Sequence, residues 1–227
     1  MRSFTLRGLT LYLPEAALKG NLERALSSGR YENHEADALL LHLRPGDRLL
    51  DLGAGLGFIC ALAAGVLGED AVMGVEAGPE TVKLARRNLV ANGVPGVKVL
   101  KGAVVGAGAG EVDFGQRPAF WASSLKGPDG WPESAEVIRV PARPLGKLLA
   151  RFAPTAICCD IEGGELEVLT QPLPGVRLVV VETHPQVYGP EGVQRIVAAL
   201  VAQGFAEAEG AKKDTLVFRR SVGPGAE

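Results

Sequence analysis

The stretch Leu49-Leu50-Asp51-Leu52-Gly53-Ala54-Gly55-Leu56-Gly57-Phe58 constrains this chain more than any other part of it. A short apolar run ends on an acid, meets glycine at alternate positions, and passes directly into a helical pattern. Glycine has no Cβ, so such a turn can be tight and can let a ligand approach the main chain. In an open α/β sheet this turn stands at the switch point beyond the strand ends, where ligands bind. The pattern predicts a nucleotide-type ligand.

The rest of the chain supplies the sheet that this turn requires. From residue 47 onward, β-rich runs over 47–51, 71–76, 97–100, 156–160 and 178–183 alternate with helical patterns over 58–67, 79–92 and 191–203. That alternation predicts α/β architecture: a Rossmann-like, mostly parallel sheet with helices on both faces and an antiparallel last strand near 215–219. The 227 residues suit one such domain. We place it at 46–220, after an N-terminal strand and helical cap at 1–45 and before a disordered tail at 221–227. The cap holds helical stretches at 15–26 and 35–43, expected over a sheet edge or the mouth of the site. Between the third and fourth parallel strands, Gly106-Ala107-Gly108-Ala109-Gly110 is expected to form a hairpin or a flexible turn between Val104-Val105 and Val112-Asp113-Phe114. An insertion with Trp121 and Trp131 follows, leading to a strand at 137–140.

Three details bear on the identity of the ligand. The Gly-x-Gly-x-Gly spacing brings the third glycine one position earlier than the dinucleotide fingerprint does. Asp51 stands where a pyrophosphate would meet like charge, whereas the ammonium and sulfonium of S-adenosylmethionine would meet a counter-ion. Glu76 ends the second strand, where an acid accepts hydrogen bonds from ribose hydroxyls. Glu76 fits either ligand, but the first two features favour S-adenosylmethionine, held by Asp51, Gly53, Ala54, Gly55, Gly57, Phe58, Glu76 and Ala77. Gly102 and Ala103, after the third strand, resemble the place where class I methyltransferases usually lay backbone against adenine; the acid often found there between the Gly and Ala is missing, and a plain tight turn is nearly as good a reading.

A second group of acids follows the fourth strand, in Asp160-Ile161-Glu162-Gly163-Gly164-Glu165-Leu166-Glu167-Val168-Leu169, and the fifth strand delivers Glu182-Thr183-His184-Pro185. Carboxylates in a partly closed cleft can accept a proton from a substrate hydroxyl. With the glycine loop and Val75-Glu76-Ala77-Gly78-Pro79, these motifs resemble the FkbM family of class I methyltransferases, over roughly 31–218. The fourth-strand motif is the most specific part, since the glycine loop is common to all class I enzymes.

The resemblance implies O-methylation of a hydroxyl on a sugar, glycan or polyketide-like small molecule, with S-adenosylmethionine as donor. Catalytic roles are expected for Asp160, beside the donor, and for Glu162 or His184, which takes the proton, while Glu165 either organises the site or serves as an ordinary helix N-terminal acid. Tyr31-Glu32 could cap the donor or contact the acceptor, and Trp121 with Trp131 could wall a sugar. No metal is expected, although Asp160, Glu162 and Glu182 offer the oxygen ligands that hard cations prefer. The competing functions are a nicotinamide-dependent oxidoreductase and a non-catalytic nucleotide-binding scaffold.

Charge and cysteine usage narrow the partners. A net charge of -2 lacks the basic footprint of duplex binders, so no nucleic acid partner is expected. No uncharged run reaches the roughly 20 residues that span a bilayer, so no membrane partner is expected either. Cys60, Cys158 and Cys159 sit in apolar runs as small core residues, which implies a reducing, cytoplasmic location.

Overall fold

A computed structural model describes residues 1–18, 20–117, 123–125 and 130–220. Its centre is a seven-stranded sheet built from β3 (Leu49–Leu52), β4 (Val72–Glu76), β5 (Lys98–Lys101), β9 (Ala156–Cys159), β10 (Leu178–Glu182), β11 (Phe205–Glu207) and β12 (Thr215–Arg220), in the order β11-β12-β10-β9-β3-β4-β5. The pairs β3/β4, β3/β9, β4/β5 and β9/β10 are parallel, and β12 runs antiparallel to both β10 and β11. The expected fold class is therefore the observed one. The order reverses at β3/β9, so the exits of these two strands open a crevice with the glycine loop on its floor.

Strand alternation decides what faces each side of the sheet. In β3, Leu49 points toward α3 (Phe58–Leu67) and α4 (Pro79–Ala91), while Leu50 and Leu52 point toward α5 (Leu145–Phe152), α6 (Glu165–Leu169) and α7 (Pro185–Ala202). Cys158 and Cys159 fall into opposite cores for the same reason, and all three cysteines are free and buried.

The N-terminal residues form a hairpin, β1 (Arg2–Leu6) and β2 (Leu9–Leu13), instead of one strand. It is tied to α4 by side chains: Asn88 Oδ1 accepts from Tyr12 N at 2.8 Å and Asn92 Oδ1 from Thr10 N at 2.8 Å. Leu11 and Leu13 are fully buried in the same cluster as α3. The first upstream helix is short, α1 (Asn21–Ser27), because Gly20 at φ 57° breaks the backbone before it; α2 (Asn33–His42) follows. Similarly α7 bends at Gly189 and Pro190, so that its regular part begins near the expected residue 191.

Of the two readings of the glycine run, hairpin or turn, the hairpin is not the one formed. β6 (Ala103–Val105) and β7 (Glu111–Gln116) do not form a hairpin with each other; β8 (Glu136–Pro144) lies between them, parallel to β6 and antiparallel to β7. The nine residues of β8 give it two usable edges, and the glycine run becomes the connection around it. The described part of the insertion joins this small sheet, with Ser124 bridging to Gly115 and Trp131 Nε1 donating to Ser124 O at 3.1 Å. Among the described residues no helix is long and apolar enough to cross a membrane. The expected tail at 221–227 lies outside the described residues.

Candidate active site

The crevice is a cavity of about 340 Å³ bounded by the β3, β4, β9 and β10 exits, by α1 and α2, and by the small sheet. At its floor the glycine loop is held by main-chain bonds from Gly53 N and Ala54 N to Val75 O, at 2.9 and 3.0 Å. Gly53, at φ 89°, lies so close to β9 that a Cβ there would fall 1.7 Å from the carbonyl oxygen of Asp160. Gly55, at φ 48°, would press a Cβ against the Tyr31 hydroxyl at 3.0 Å and Glu32 Oε1 at 3.2 Å. Both glycines are thus required by contacts within the protein as well as by any ligand.

Glu76 is fixed at the end of β4 by two amides, Gly78 N donating to Oε1 at 2.7 Å and Gly55 N to Oε2 at 3.0 Å. Each oxygen keeps a further lone pair for a hydroxyl donor. Burial raises its pKa to about 7, against the opposing effect of these amides. Gly53, Gly55, Glu76, Ala77, Gly102 and Ala103 all line the cavity.

Other expected cofactor residues stand behind this wall. Ala54 and Phe58 are each 1% exposed, and Gly57 packs against Ala85. Asp51, expected to face an ammonium directly, is 3% exposed on the α3 side of the sheet, where Cys60 Sγ donates to its Oδ2 at 3.1 Å. Burial raises Asp51 to about 7. The strand period accounts for this placement, since Leu52 and not Asp51 is the last β3 residue before the loop.

Much of the remaining wall is acidic. Asp160, Glu162 and Glu182 line it from the β9 and β10 exits, and Glu32 and Glu35 from the start of α2. His184 lies just behind: its Nε2 is 3.4 Å from Glu162 Oε2 and 3.7 Å from Asp160 Oδ1, and its Nδ1 is 3.2 Å from Glu165 Oε1 without hydrogen-bond alignment. Glu165 is fully buried and takes amides from Ile161 at 2.9 Å and Gly163 at 3.0 Å, so it also fixes the turn that carries Glu162.

Burial, then Glu182 and Glu162, hold the Asp160 carboxyl well above its usual range. Burial raises Glu162 to about 7 against the pull of His184. Burial works to lower His184, but Glu165, Glu162 and Glu182 outweigh it and raise it to about 9.

The structure thus gathers Asp160, Glu162 and His184 into one cluster. Several wall residues lie outside the expected set. Phe114 and Leu125 reach the cavity from the small sheet and insertion, and His34 lines it from α2. Tyr31 and Glu32 arrive at Gly55, a meeting that no local pattern signals. His42 is structural, its Nε2 facing Glu209 O at 2.9 Å. Trp131 packs on Gly115 away from the wall, and Trp121 lies outside the described residues.

The cavity fits S-adenosylmethionine on its own geometry: an open glycine turn, a fixed carboxylate with two free lone pairs, an apolar bed at Ala77 and Ala103, and a buried Asp160 Oδ1 without a hydrogen-bond partner. Comparisons with known proteins agree in kind. Residues 25–110 match the family model described as "Protein-L-isoaspartate(D-aspartate) O-methyltransferase (PCMT)". An arsenite methyltransferase of Halobacterium salinarum is 41% identical over 63 residues, 27% of this chain and 16% of that protein. A protein-L-isoaspartate O-methyltransferase of Archaeoglobus fulgidus is 42% identical over 64 residues, 28% of this chain and 30% of that protein. The chain thus spans under a third of either relative's length.

The solved structure of M. jannaschii TYW2 in complex with AdoMet superposes with a TM-score of 0.51 at 12% identity, covering 96% of this chain and 85% of that one. The chain has the class I, S-adenosylmethionine-dependent methyltransferase fold. The family match ends before the acidic cluster.

Proposed function

We propose that this chain is an S-adenosylmethionine-dependent methyltransferase that O-methylates a hydroxyl of a sugar, glycan or polyketide-like small molecule. The observation that carries the reading is the position of Glu76. Its carboxylate is fixed by Gly55 and Gly78 and borders the same cavity that Asp160 and Glu162 line, with His184 just behind them. A ribose-binding acid and a proton-accepting cluster on one cavity are what a methyl transfer to oxygen needs.

In this reading Glu76 accepts from the ribose hydroxyls, Gly53 and Gly55 let the donor approach the main chain, and Ala77, Gly102 and Ala103 bed the adenine. When bound, S-adenosylmethionine supplies an electrophilic methyl on a sulfonium leaving group. Asp160, with Oδ1 unpartnered, stands beside that positive charge. Asp51 acts from behind the loop, through the field of its carboxyl and not through contact. The acceptor hydroxyl gives up its proton at the cluster of Asp160, Glu162 and His184, and Glu165 holds that cluster in place. Phe114 and Leu125 give the acceptor an apolar wall. Positioning of this kind can supply much of the acceleration, because a displacement at carbon needs donor and acceptor in line.

The resemblance of Asp160-Ile161-Glu162-Gly163-Gly164-Glu165 to the FkbM pattern supports oxygen as the acceptor atom. The test is transfer of isotope-labelled methyl from S-adenosylmethionine to a panel of free sugars, glycosides and hydroxylated macrolactones. Transfer to a hydroxyl that falls at least about a hundredfold in Glu162→Gln, with donor binding kept, is the expected result. Transfer to nitrogen or carboxylate acceptors, with every hydroxyl left untouched, would contradict it.

A further inference from the structure

The acidic cluster holds more than a proton acceptor needs. One donor atom from each of Asp160, Glu162 and His184 lies within 4.8 Å of the others, with His184 Nε2 3.7 Å from Asp160 Oδ1 and 3.4 Å from Glu162 Oε2. Metal–ligand distances of about 2.0–2.2 Å set neighbouring donors roughly 3 to 3.5 Å apart, so small side-chain rotations would close this set around an ion. We propose that Asp160, Glu162 and His184 form a binding site for a divalent metal cation, one that accepts mixed nitrogen and oxygen ligands, such as Mn²⁺. The proposal rests on the methyltransferase reading only for its consequence, that the ion faces the acceptor hydroxyl.

Two observations beyond the acids point to a ligand. The His184 side chain is 6% exposed, its Nδ1 has no hydrogen-bond partner, and its Nε2 is aimed at the two carboxylates. Asp160 Oδ1 is also buried without a partner. Buried polar atoms without partners are uncommon, and a cation bound at His184 Nε2 would give Asp160 Oδ1 its partner. The surroundings have the form that metal sites take: Glu165 Oε1, 3.2 Å from His184 Nδ1, would orient the ring from its other nitrogen, and is itself held by the Ile161 and Gly163 amides.

The charge balance agrees. Glu182, Glu165 and Glu32 also face Asp160, while His184 and Arg117 both act on Glu162 to favour its charged form. Imidazole with two carboxylates suits Mn²⁺ or Zn²⁺ better than an all-oxygen cation such as Ca²⁺. The folded chain thus offers a different donor set from the three carboxylates legible in its sequence, with His184 in place of Glu182.

The experiment is titration of the full chain with Mn²⁺, following the free ion by electron paramagnetic resonance. Thermal unfolding and S-adenosylmethionine affinity are measured on the same samples. One equivalent bound by the wild type, weakened at least about tenfold in Glu162→Gln and again in Asp160→Asn, is expected. Absence of binding by the wild type, or equal binding by both variants while folded, overturns the proposal. Failure to bind S-adenosylmethionine would sink the methyltransferase reading alone and leave the metal result standing.

Discussion

Replacing Gly53 by alanine tests how the floor of the site is built. The residue sits at φ 89°, and an added Cβ would lie 1.7 Å from the Asp160 carbonyl oxygen and 2.7 Å from its carbon. Because non-bonded heavy atoms settle near about 3.5 Å, the exits of β3 and β9 would have to part by well over about 1 Å. They are tied in place by Gly53 N to Val75 O and by Asp160 N to Leu52 O, each at 2.9 Å. Loss of these two bonds at about 1 kcal/mol each, plus left-handed strain of about 1–2 kcal/mol, gives a destabilisation of about 3–4 kcal/mol. For a chain of this size that lowers the melting temperature by about 6 to 16 °C.

Calorimetry on Gly53→Ala, with Gly65→Ala as control, measures it. Gly65 lies in α3 with nothing within 4 Å of its added Cβ, so that variant should melt at or above the wild type. A Gly53→Ala protein melting within about 2 °C of the wild type would refute the reasoning.

Further consequences follow from buried charge. Asp51 and Glu76 are raised to about 7 from 3.8 and 4.5, and His184 to about 9 from 6.5. A raised pKa contributes stability that is present at low pH and lost as pH rises through the folded value, so the ligand-free protein should lose stability from about pH 5.5 to 8. The lowered Asp37 and Asp47 act only below that window. Urea midpoints across it check the sign, and a rising trend would count against the placement of these groups. Arg177 pairs with Asp47, whose side chain is 5% exposed and also accepts from Thr155 at 2.7 Å. Arg177→Met leaves that carboxylate buried without its cation, with only the Thr155 hydroxyl and the Arg44 amide still donating to it, and should cost about 3 kcal/mol in urea unfolding; under about 1 kcal/mol would contradict the assignment. Glu165→Ala strips the acceptor from the Ile161 and Gly163 amides and should cost about 2 kcal/mol. It should also abolish methyl transfer while donor affinity holds, and transfer at the wild-type rate would remove Glu165 from the site.

What could be read in the sequence was what is local. The glycine turn and Glu76 are marked by their local settings, directly after one apolar strand run and at the end of the next, and the parallel sheet follows from the alternation of strands and helices. The amphipathic spacing Leu145, Leu148, Leu149 and Phe152, all buried in α5, was equally legible, although the expected elements passed from residue 140 to 156 without it. The depth of Asp51 depends on how α3 folds back to bring Cys60 against it. The pairing of β6 with β8 joins residues some forty apart, where hydrophobic pattern does not choose between partners. In the site, the carboxylates were legible as strand-end residues. That His184 faces Glu165 on one nitrogen and Glu162 on the other, and that Tyr31 meets Gly55, are contacts made only by the folded chain.

Titration calorimetry of the purified chain with S-adenosylmethionine, beside Glu76→Ala and with NADH as the competing ligand, tests the central claim most directly. The account predicts micromolar binding of S-adenosylmethionine, weakened at least about tenfold when the two hydrogen-bond acceptors of Glu76 are removed, and no binding of NADH. A folded protein that takes up NADH, or that ignores S-adenosylmethionine, would contradict it.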